Sequence, residues 1–340
     1  MSSQPQPAEL PPPVAMLQIV QGYWASRAVY VAAKLGLPDL LKDEPMTCEH
    51  LAQASGAHAP SLYRLLRALD SIGVVHERSH QTFALTPLGA TLRTDVPGSL
   101  RFFAIEELGE NHYPAWEKLL DSVKSGATAF HQVYGTTKWQ YMTEHPEEAG
   151  IFNAAMASFS SVVATAIVEA YDFSASRTIV DLGGGDGALL SAVLHANASA
   201  RGVLADLPHV AEKARLRLAA SGLDGRCQVA PTDFFQQVPA GDTYLLKWII
   251  HDWDDDRSAA ILRHCRDTMA PGGKVLLIEA VLQPGPATAF SKFVDLNMLV
   301  MTGGRERTES EYRALLQSAG LTLTRIVPTH TEMSLIEASC

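Results

Sequence analysis

The spacing of apolar residues in the first hundred positions predicts short helices followed by a hairpin. Apolar side chains recur at helical spacing over residues 14–41 and are interrupted at Gly36, which predicts a pair of helices. Two more helices are predicted over residues 47–56 and 61–73, because each segment opens on a residue that caps helix N-termini and closes on a glycine. Alternating runs within residues 74–85 predict a two-stranded wing. Together these elements describe a mostly helical, winged-helix-like domain.

Beyond residue 176 the pattern changes to short β-branched runs that alternate with helical stretches. Strands are predicted over residues 178–182, 201–206, 227–230, 243–250 and 274–279, and helices over residues 188–196, 210–220 and 256–269. Such alternation is typical of a parallel, doubly wound sheet, so the fold class is predicted to be α/β. The last two runs, 321–327 and 333–338, have no helix between them and are predicted to form an antiparallel hairpin.

These patterns divide the chain into four segments. Residues 1–13, rich in Ser, Gln and Pro, are predicted to be a disordered tail. Residues 14–100 are predicted to form the winged-helix-like domain. Residues 101–175 are predicted to form a helical linker and substrate-pocket region, whose aromatic side chains either wall the pocket or belong to the core. Residues 176–340 form the ligand-binding α/β domain.

Composition and charge narrow the possible partners. The 340 residues are 47% hydrophobic, and 27 Lys and Arg against 37 Asp and Glu give a formal net charge of −10, which repels nucleic acid. The 4 cysteines form no C-x-x-C pair, which suits a reducing cytoplasm. The apolar runs at 243–250 and 274–282 are shorter than the roughly 20 residues of a membrane helix, so no membrane partner is expected.

A winged-helix unit also raises the alternative of a DNA-binding regulator that senses an adenosine ligand. Basic and acidic residues are nearly balanced within residues 47–94, whereas a DNA-reading helix needs a basic surface. Packing or dimerisation is therefore favoured for this domain.

Polar and glycine residues follow three of the predicted strands, where ligands of parallel sheets bind. Asp181 precedes a glycine cluster that lets the backbone lie close to a ligand, Asp206 is placed to hold both ribose hydroxyls, and Asp233 with Phe234 suits an adenine ring. The three positions together predict an adenosine-shaped site.

The glycine cluster leaves two cofactors open. Gly183, Gly185 and Ala188 also satisfy the G-x-G-x-x-A pattern, so a nicotinamide-dependent reductase remains an alternative. Asp181 places a negative charge where a pyrophosphate would lie but where an ammonium group is favoured. With the additional N-terminal domain and the C-terminal hairpin, this favours S-adenosylmethionine.

The next two strand ends supply candidate catalytic groups. His251 can serve as a general base, and Glu279 on the adjacent strand can orient it. The acidic run at Asp252 and residues 254–256 could suggest a cation, but it directly precedes a predicted helix, where acidic residues cap the N-terminus. No metal is expected.

At this point the motifs show a family resemblance. The strings are VDLGGGDG at 180–187, DLPH at 206–209, TDFF at 232–235, LKWIIHDW at 246–253, MAPGG at 269–273 and GGRERT at 303–308. In this order they resemble the S-adenosylmethionine-dependent small-molecule O-methyltransferases, a group that includes caffeic-acid and hydroxyindole O-methyltransferases and bacterial natural-product tailoring enzymes. The resemblance covers nearly the whole chain.

The resemblance implies a class I methyltransferase fold, a homodimer and methylation of an aromatic hydroxyl group. It implies cofactor contacts from Asp181, Gly183, Gly184, Gly185, Asp206, Leu207, Asp233, Phe234 and Lys247. It implies His251 as the base, with Glu279 fixing the imidazole tautomer and Glu306 supporting the ring from the other side. The implied substrate contacts are Trp116, Phe152, Met156, Asp252 and Asn297. Asp186, at a position usually small or uncharged, is expected to face solvent or cap the following helix.

Overall fold

Two units, divided after Gly109, make up the computed structural model, which describes residues 10–285 and 290–340. The helices of the first unit are α1 (Pro12–Lys34), α2 (Leu37–Leu40), α3 (Cys48–Ser55), α4 (Ala59–Ser71), α5 (Pro87–Ala90) and α6 (Arg101–Glu107). Its strands are β1 (Met46–Thr47), β2 (Val75–Glu77) and β3 (Thr82–Leu85), which form an antiparallel sheet with β3 in the centre. The two helices and the wing expected from the spacing are therefore present.

The ends of the first unit differ from the sequence prediction. Helix α1 begins at Pro12, because proline is well tolerated in the first turn, so the predicted tail extends too far; residues 1–9 lie outside the described residues. At the other end, Arg101 donates to the Ala33 carbonyl at 3.0 Å and to Asp39 at 2.5 Å. These bonds attach α6 to the first unit, so its boundary lies later than the predicted residue 100.

The first half of α1 exposes an apolar surface. The side chains of Met16, Leu17, Ile19, Val20, Tyr23 and Trp24 are exposed, whereas Tyr30, Ala32 and Ala33 in the second half are buried. We call the first group the α1 apolar surface.

The second unit contains the predicted doubly wound sheet. Its helices are α7 (Tyr113–Trp116), α8 (Leu119–Ser125), α9 (Ala129–Tyr134), α10 (Lys138–Glu144), α11 (Pro146–Ala170), α12 (Ala188–Ala196), α13 (Pro208–Ala220), α14 (Asp255–Thr268), α15 (Phe290–Met301) and α16 (Glu309–Ser318), and a 3-10 helix spans Ile250–Asp252. Its strands are β4 (Thr178–Leu182), β5 (Arg201–Asp206), β6 (Cys227–Pro231), β7 (Gly241–Lys247), β8 (Met269–Leu282), β9 (Arg307–Thr308), β10 (Thr322–Pro328) and β11 (Met333–Ser339).

The strand order is β10-β11-β8-β7-β4-β5-β6, with β9 pairing β8. The strands from β6 to β8 are parallel, and β11 runs antiparallel to both β8 and β10, which confirms the C-terminal hairpin. The chain reverses its direction of travel across the sheet between β4 and β7, so ligands are expected at the carboxyl ends of these strands.

Helices pack on both faces of this sheet. Residues of α14 and α16 cover one face, where Tyr244, Leu277 and Ile336 are buried. Residues of α11, α12 and α13 cover the other, where Ile179, Leu245 and Leu335 are buried. Alternate strand residues thus point to opposite cores, as strand geometry requires.

Helix α11 corrects one expectation about apolar stretches. By length and composition α11 could cross a membrane, whereas the apolar runs at 243–250 and 274–282 are too short to do so. Val163, Ala164 and Ile167 of this helix are buried in the core with strand residues, and α11 packs against α12. The apolar residues in the second half of α11 are therefore part of the core of the second unit.

Candidate active site

The carboxyl end of β4 presents a buried acid. Asp181 is 1% exposed, and its Oδ2 atom has no hydrogen-bond partner within the described ranges. Burial raises the pKa of Asp181 to about 7, although the charge of Lys247 opposes this shift. Burial also lowers the pKa of Lys247 at the end of β7, against the charges of Asp181 and Glu279. An unpaired buried carboxylate oxygen is costly unless a ligand cation completes it.

The glycine loop after β4 is fastened to β5. Gly183 and Gly185 adopt left-handed backbone conformations with φ of 69° and 60°. The Gly185 amide donates to Asp206 Oδ2 at 2.8 Å, and the Leu207 amide donates to Asp206 Oδ1 at 2.7 Å. A Cβ atom on Gly184 would lie 2.8 Å from Asp181 Oδ2, so the loop packs directly on that acid.

The end of β6 adds an aromatic wall beside this loop. A Cβ atom on Gly183 would lie 3.8 Å from the Phe234 ring, which places that ring against the glycine loop. Asp233 accepts from the Phe235 amide at 2.9 Å and from Gln236 at 3.0 Å, so its carboxylate holds the turn that presents Phe234. The Asp181, Asp206 and Phe234 positions fit the ammonium, ribose and adenine of S-adenosylmethionine.

A strained turn after β7 holds Glu279 of β8. Trp248 adopts a left-handed conformation with φ of 54°, and Ile249 is right-handed. This alternation directs successive amides to one side, an arrangement that binds anions. The amides of Ile249 and Ile250 accordingly donate to Glu279 Oε1 at 3.1 and 2.9 Å.

His251 follows this turn and is 6% exposed. Its Nδ1 atom lies 2.6 Å from Glu306 Oε1 and 3.8 Å from Glu279 Oε2, whereas its Nε2 atom lies 3.8 Å from Asp252 Oδ1. The structure therefore differs from the expected roles: Glu306, not Glu279, makes the hydrogen bond to the imidazole, because the nearer oxygen of Glu279 lies 3.8 Å from Nδ1, beyond hydrogen-bond distance. Both acids also lie on the same side of the ring. In the neutral imidazole, Nε2 is the nitrogen left to accept a proton.

The surrounding acids make His251 a strong base. Burial alone lowers the pKa of His251, but the charges of Glu279, Glu306 and Asp252 outweigh it and raise the pKa to about 10. Burial raises the pKa of Glu279 to about 7 and that of Asp252 to about 6, although the His251 charge opposes both shifts. The acids around the ring therefore favour a proton on His251 more than water does on an ordinary histidine.

His251, Glu279 and Glu306 also lie close enough together to be considered as metal ligands, with one atom of each within 4.8 Å of the others. The 2.6 Å between His251 Nδ1 and Glu306 Oε1 is a hydrogen-bond distance, shorter than the roughly 3 Å that separates two ligands of one small cation. The observed arrangement is that of a histidine hydrogen-bonded to a buried glutamate.

The acidic run after His251 serves α14, as expected. Asp254 caps the helix by accepting from the Arg257 amide at 2.8 Å, and Asp255 binds Arg305 and Arg307. Asp186 behaves similarly: it accepts from the Ala188 amide at 3.2 Å at the start of α12 and forms an ion pair with Arg217.

Aromatic side chains connect the Phe234 wall to the expected substrate contacts. Trp253 packs on Phe234 and Phe235 with ring centroids 6.2 and 4.8 Å apart, and on Trp139 at 6.1 Å. Trp139 in turn packs edge to face on Phe152 at 5.8 Å. Met156 lies one helical turn after Phe152 on α11 and is half-buried, so the two share a helix face.

Asn297 and Trp116 are joined directly. Asn297 Oδ1 accepts from the Trp116 indole at 2.8 Å and is 2.9 Å from His112 Nε2. Since an indole only donates, the Asn297 oxygen faces Trp116 and its amide nitrogen faces away. Asp295 on the same helix accepts from the Glu306 amide at 2.9 Å, which links α15 to the base.

Four residues that contact His251, its flanking residues or the expected substrate contacts were given no role by the sequence reasoning. They are His112, Trp139, Trp248 and Arg307. Arg307 belongs to the GGRERT string, and its complete burial is invisible to spacing arguments. Trp139 and Trp253 meet only in the fold, so aromatic content was the one signal available for them.

Comparison with known proteins agrees with this geometry. Residues 116–322 match the O-methyltransferase domain, and residues 17–95 match the O-methyltransferase dimerisation domain. The chain is 47% identical to the phenazine O-methyltransferase PhzM of Lysobacter antibioticus over 95% of each chain. The crystal structure of LaPhzM superposes with a TM-score of 0.94 at 46% identity, covering 97% of this chain and 99% of that one.

Two other relatives bear on cofactor and acceptor. An O-methyltransferase of neocarzinostatin biosynthesis, crystallised with S-adenosylmethionine and 2-hydroxy-5-methyl naphthoic acid, is 35% identical, with a TM-score of 0.82 and coverage of 93% and 95%. A phenazine-1-carboxylate N-methyltransferase of Pseudomonas aeruginosa is 34% identical over 95% of this chain and 96% of its own. These matches favour S-adenosylmethionine over a nicotinamide as the cofactor. The chain belongs to the S-adenosylmethionine-dependent O-methyltransferase family.

Proposed function

We propose that the protein methylates an aromatic hydroxyl group of a small natural product, with His251 as the general base. The observation that carries this proposal is the hydrogen bond of His251 to Glu306, which fixes the ring and leaves Nε2 as the acceptor of a proton. This base follows β7, and β7 is the neighbour of β4, whose end presents Asp181 and the glycine loop.

The pKa of His251 is close to that of the phenolic hydroxyl group from which it would take a proton. A phenol has an ordinary pKa of about 10, and the pKa of His251 is also about 10, so a phenolic proton passes to Nε2 with little free-energy change. Glu306 retains the proton on Nδ1, and the negative charges of Glu279 and Asp252 stabilise the imidazolium that forms. S-adenosylmethionine, when bound, supplies an electrophilic methyl group to the deprotonated oxygen.

Asp181, Gly183, Gly184, Gly185, Asp206, Leu207, Asp233, Phe234 and Lys247 are the residues proposed to hold the cofactor. Asp181 carries the buried oxygen that an ammonium would pair, and Asp206 lies beside the open backbone of Gly185. Phe234 offers an aromatic face against the glycine loop. This chain's part in catalysis is to hold both reactants in line and to remove the acceptor's proton.

The acceptor is proposed to be aromatic. Trp116, Phe152, Met156, Asp252 and Asn297 are the proposed substrate contacts, and the Trp139–Trp253 pair lies between Phe152 and the Phe234 wall. Aromatic rings bind planar acceptors by stacking and edge contacts. The naphthoic acid bound to the neocarzinostatin relative supports this class.

The protein is also proposed to act as a cytoplasmic homodimer. The α1 apolar surface lies partly within the segment that matches the dimerisation domain, and contact with a second copy would bury it. The 4 cysteines are free, as expected in a reducing compartment.

Calorimetric titration with S-adenosylmethionine, S-adenosylhomocysteine and NAD(H), each with EDTA, tests the cofactor site. Micromolar binding of the first two without the third is expected. Binding of NAD(H) alone would overturn the residue assignments at Asp181, Asp206 and His251.

A labelled-methyl assay tests the acceptor. Hydroxyl-bearing and amine-bearing versions of the same phenazine and naphthoate rings are compared, and methylation of the hydroxyl versions is expected. Exclusive methylation of the amines would place the chain with its N-methyltransferase relative.

A further inference from the structure

We propose that Arg307 is a positioning residue that fixes the His251 segment against Glu306. The proposal rests on the role assigned to His251 above. It concerns a side chain that touches neither cofactor nor acceptor site residues directly but contacts the backbone on both sides of the base.

Arg307 is a fully buried arginine whose donors converge on one loop. Its side chain is 0% exposed. The Nη1 atom donates to the Ile250 carbonyl at 3.1 Å, and Nη2 donates to the Trp253 carbonyl at 3.0 Å. These carbonyls lie immediately before and two residues after His251, so one guanidinium spans the segment that carries the base.

The guanidinium is itself held in place by an acid. Asp255 Oδ1 accepts from Nε at 3.0 Å and from Nη2 at 2.8 Å. Such charge-assisted, forked bonding fixes the guanidinium in one orientation, which a lysine ammonium cannot reproduce. The geometry therefore depends on the shape of the arginine as well as on its charge.

The backbone next to Arg307 presses on the same segment. The Arg305 amide donates to the His251 carbonyl at 2.8 Å. A Cβ atom on Gly304 would overlap that carbonyl and lie 2.7 Å from the Trp253 nitrogen. Residue 304 must therefore be glycine for the 304–307 and 250–253 segments to lie this close together. Residues 304–307 thus form a clasp along residues 250–253, with Glu306 facing His251 Nδ1 from within it.

This arrangement explains why Glu306 can form so short a bond to the imidazole. Glu306 and Arg307 are adjacent in the chain. The residue that orients the imidazole and the residue that fixes the His251 segment therefore lie side by side on the same stretch of backbone. Loosening Arg307 would let the His251 segment move away from Glu306 without changing any group that contacts the cofactor.

The test is Arg307→Lys, which keeps the charge, with Arg226→Lys as the matched control. Arg226 also donates to several backbone carbonyls, those of Leu194, Asn197, Ala198 and Ala200, but far along the chain from the base. Both variants are expected to melt at a lower temperature. Only Arg307→Lys is expected to lower kcat at least tenfold and to move the rising limb of the pH profile toward lower pH, because His251 loses its close acid neighbour.

Three results decide the proposal. Unchanged kcat and pH profile in Arg307→Lys, with a lower melting temperature, would show that Arg307 only stabilises the fold and would overturn it. If Arg307→Lys does not fold, Asp255→Asn replaces it, with the same shift supporting the proposal and an unchanged profile overturning it. If His251→Gln itself leaves turnover unchanged, the proposed function fails, and that failure is separate from any result at Arg307.

Discussion

Carboxylates at the amino ends of the sheet's strands differ in hydrogen bonding from those near the carboxyl ends. At the amino ends, Asp242 accepts from the Arg177 and Thr178 amides and from the Thr243 hydroxyl. Near the carboxyl ends of β4 and β8, Asp181 Oδ2, Glu279 Oε2 and the neighbouring Glu306 Oε2 are buried without hydrogen-bond partners among the residues that the structure describes. Saturated groups stabilise a fold, whereas unsaturated buried oxygens are retained at a cost in stability and mark where a ligand binds.

The largest effect is expected at the base itself. His251→Gln removes the proton acceptor and should lower kcat by about 10² to 10⁴. Cofactor affinity should be unchanged, since His251 lies outside the Asp181 loop. Single-turnover kinetics and calorimetry on one preparation measure both quantities. A variant that keeps normal turnover on a phenol of ordinary acidity would remove His251 from the mechanism.

The next largest effect is expected from a comparison of the two ends of the strands, made with the variants Asp181→Asn and Asp242→Asn. Asp181→Asn should weaken S-adenosylmethionine binding by about 10- to 100-fold, because a charged hydrogen bond is lost. It should also raise the melting temperature of the ligand-free protein, since a buried charge is removed. Asp242→Asn should lower the melting temperature and leave cofactor affinity unchanged. Equal changes in cofactor affinity and melting temperature in the two variants would contradict the distinction between the amino and carboxyl ends.

A smaller effect separates the two glutamates around the base. His251 accepts a proton only when neutral, so kcat/KM should rise with pH until the pH passes its pKa of about 10. Glu306→Gln removes an adjacent negative charge, lowers that pKa and should shift the rising limb down by about one to three pH units. Glu279→Gln removes the charge that raises this pKa most and should also shift the limb down, but it leaves the Glu306 hydrogen bond that orients the ring. If the rising limb of the pH profile lies at the same pH in the unmodified protein and both variants, the two glutamates do not determine the pKa of His251.

The smallest effect is expected at the acidic run. Asp254→Ala removes the cap of α14 and should cost about 1 kcal/mol of stability. Activity with EDTA present should equal that of the unmodified protein at a temperature where both are folded. Loss of activity that a divalent cation restores would instead make this run a metal site.

Local signals in the sequence predicted the strand ends well. Strand β4 and helix α12 occupy the predicted residues, because a β-branched run, a glycine cluster and an apolar helix follow one another without ambiguity. Strand β8 begins earlier than predicted, since the Pro271–Gly273 segment is accommodated as an irregularity in its pairing with β7.

Contacts between residues far apart in the chain could not be predicted from the sequence. The hydrogen-bond partner of His251 is decided by distance, 2.6 Å to Glu306 against 3.8 Å to Glu279, and the amides that bind Glu279 Oε1 are directed there by a left-handed Trp248 that no propensity favours. Arg307 looks like any charged residue until its burial is known. These features depend on residues brought together by the fold, so spacing along the chain carries no record of them.

The place of β11 in the sheet also governs how the protein is made. This strand is synthesised after all the others, yet it lies between β10 and β8, the strand that bears Glu279. The first unit, complete by Gly109, can fold while the ribosome is still translating the rest. Until β11 is in place, β8 has an unpaired edge, so the sheet that bears Glu279 is completed only when this strand pairs with it.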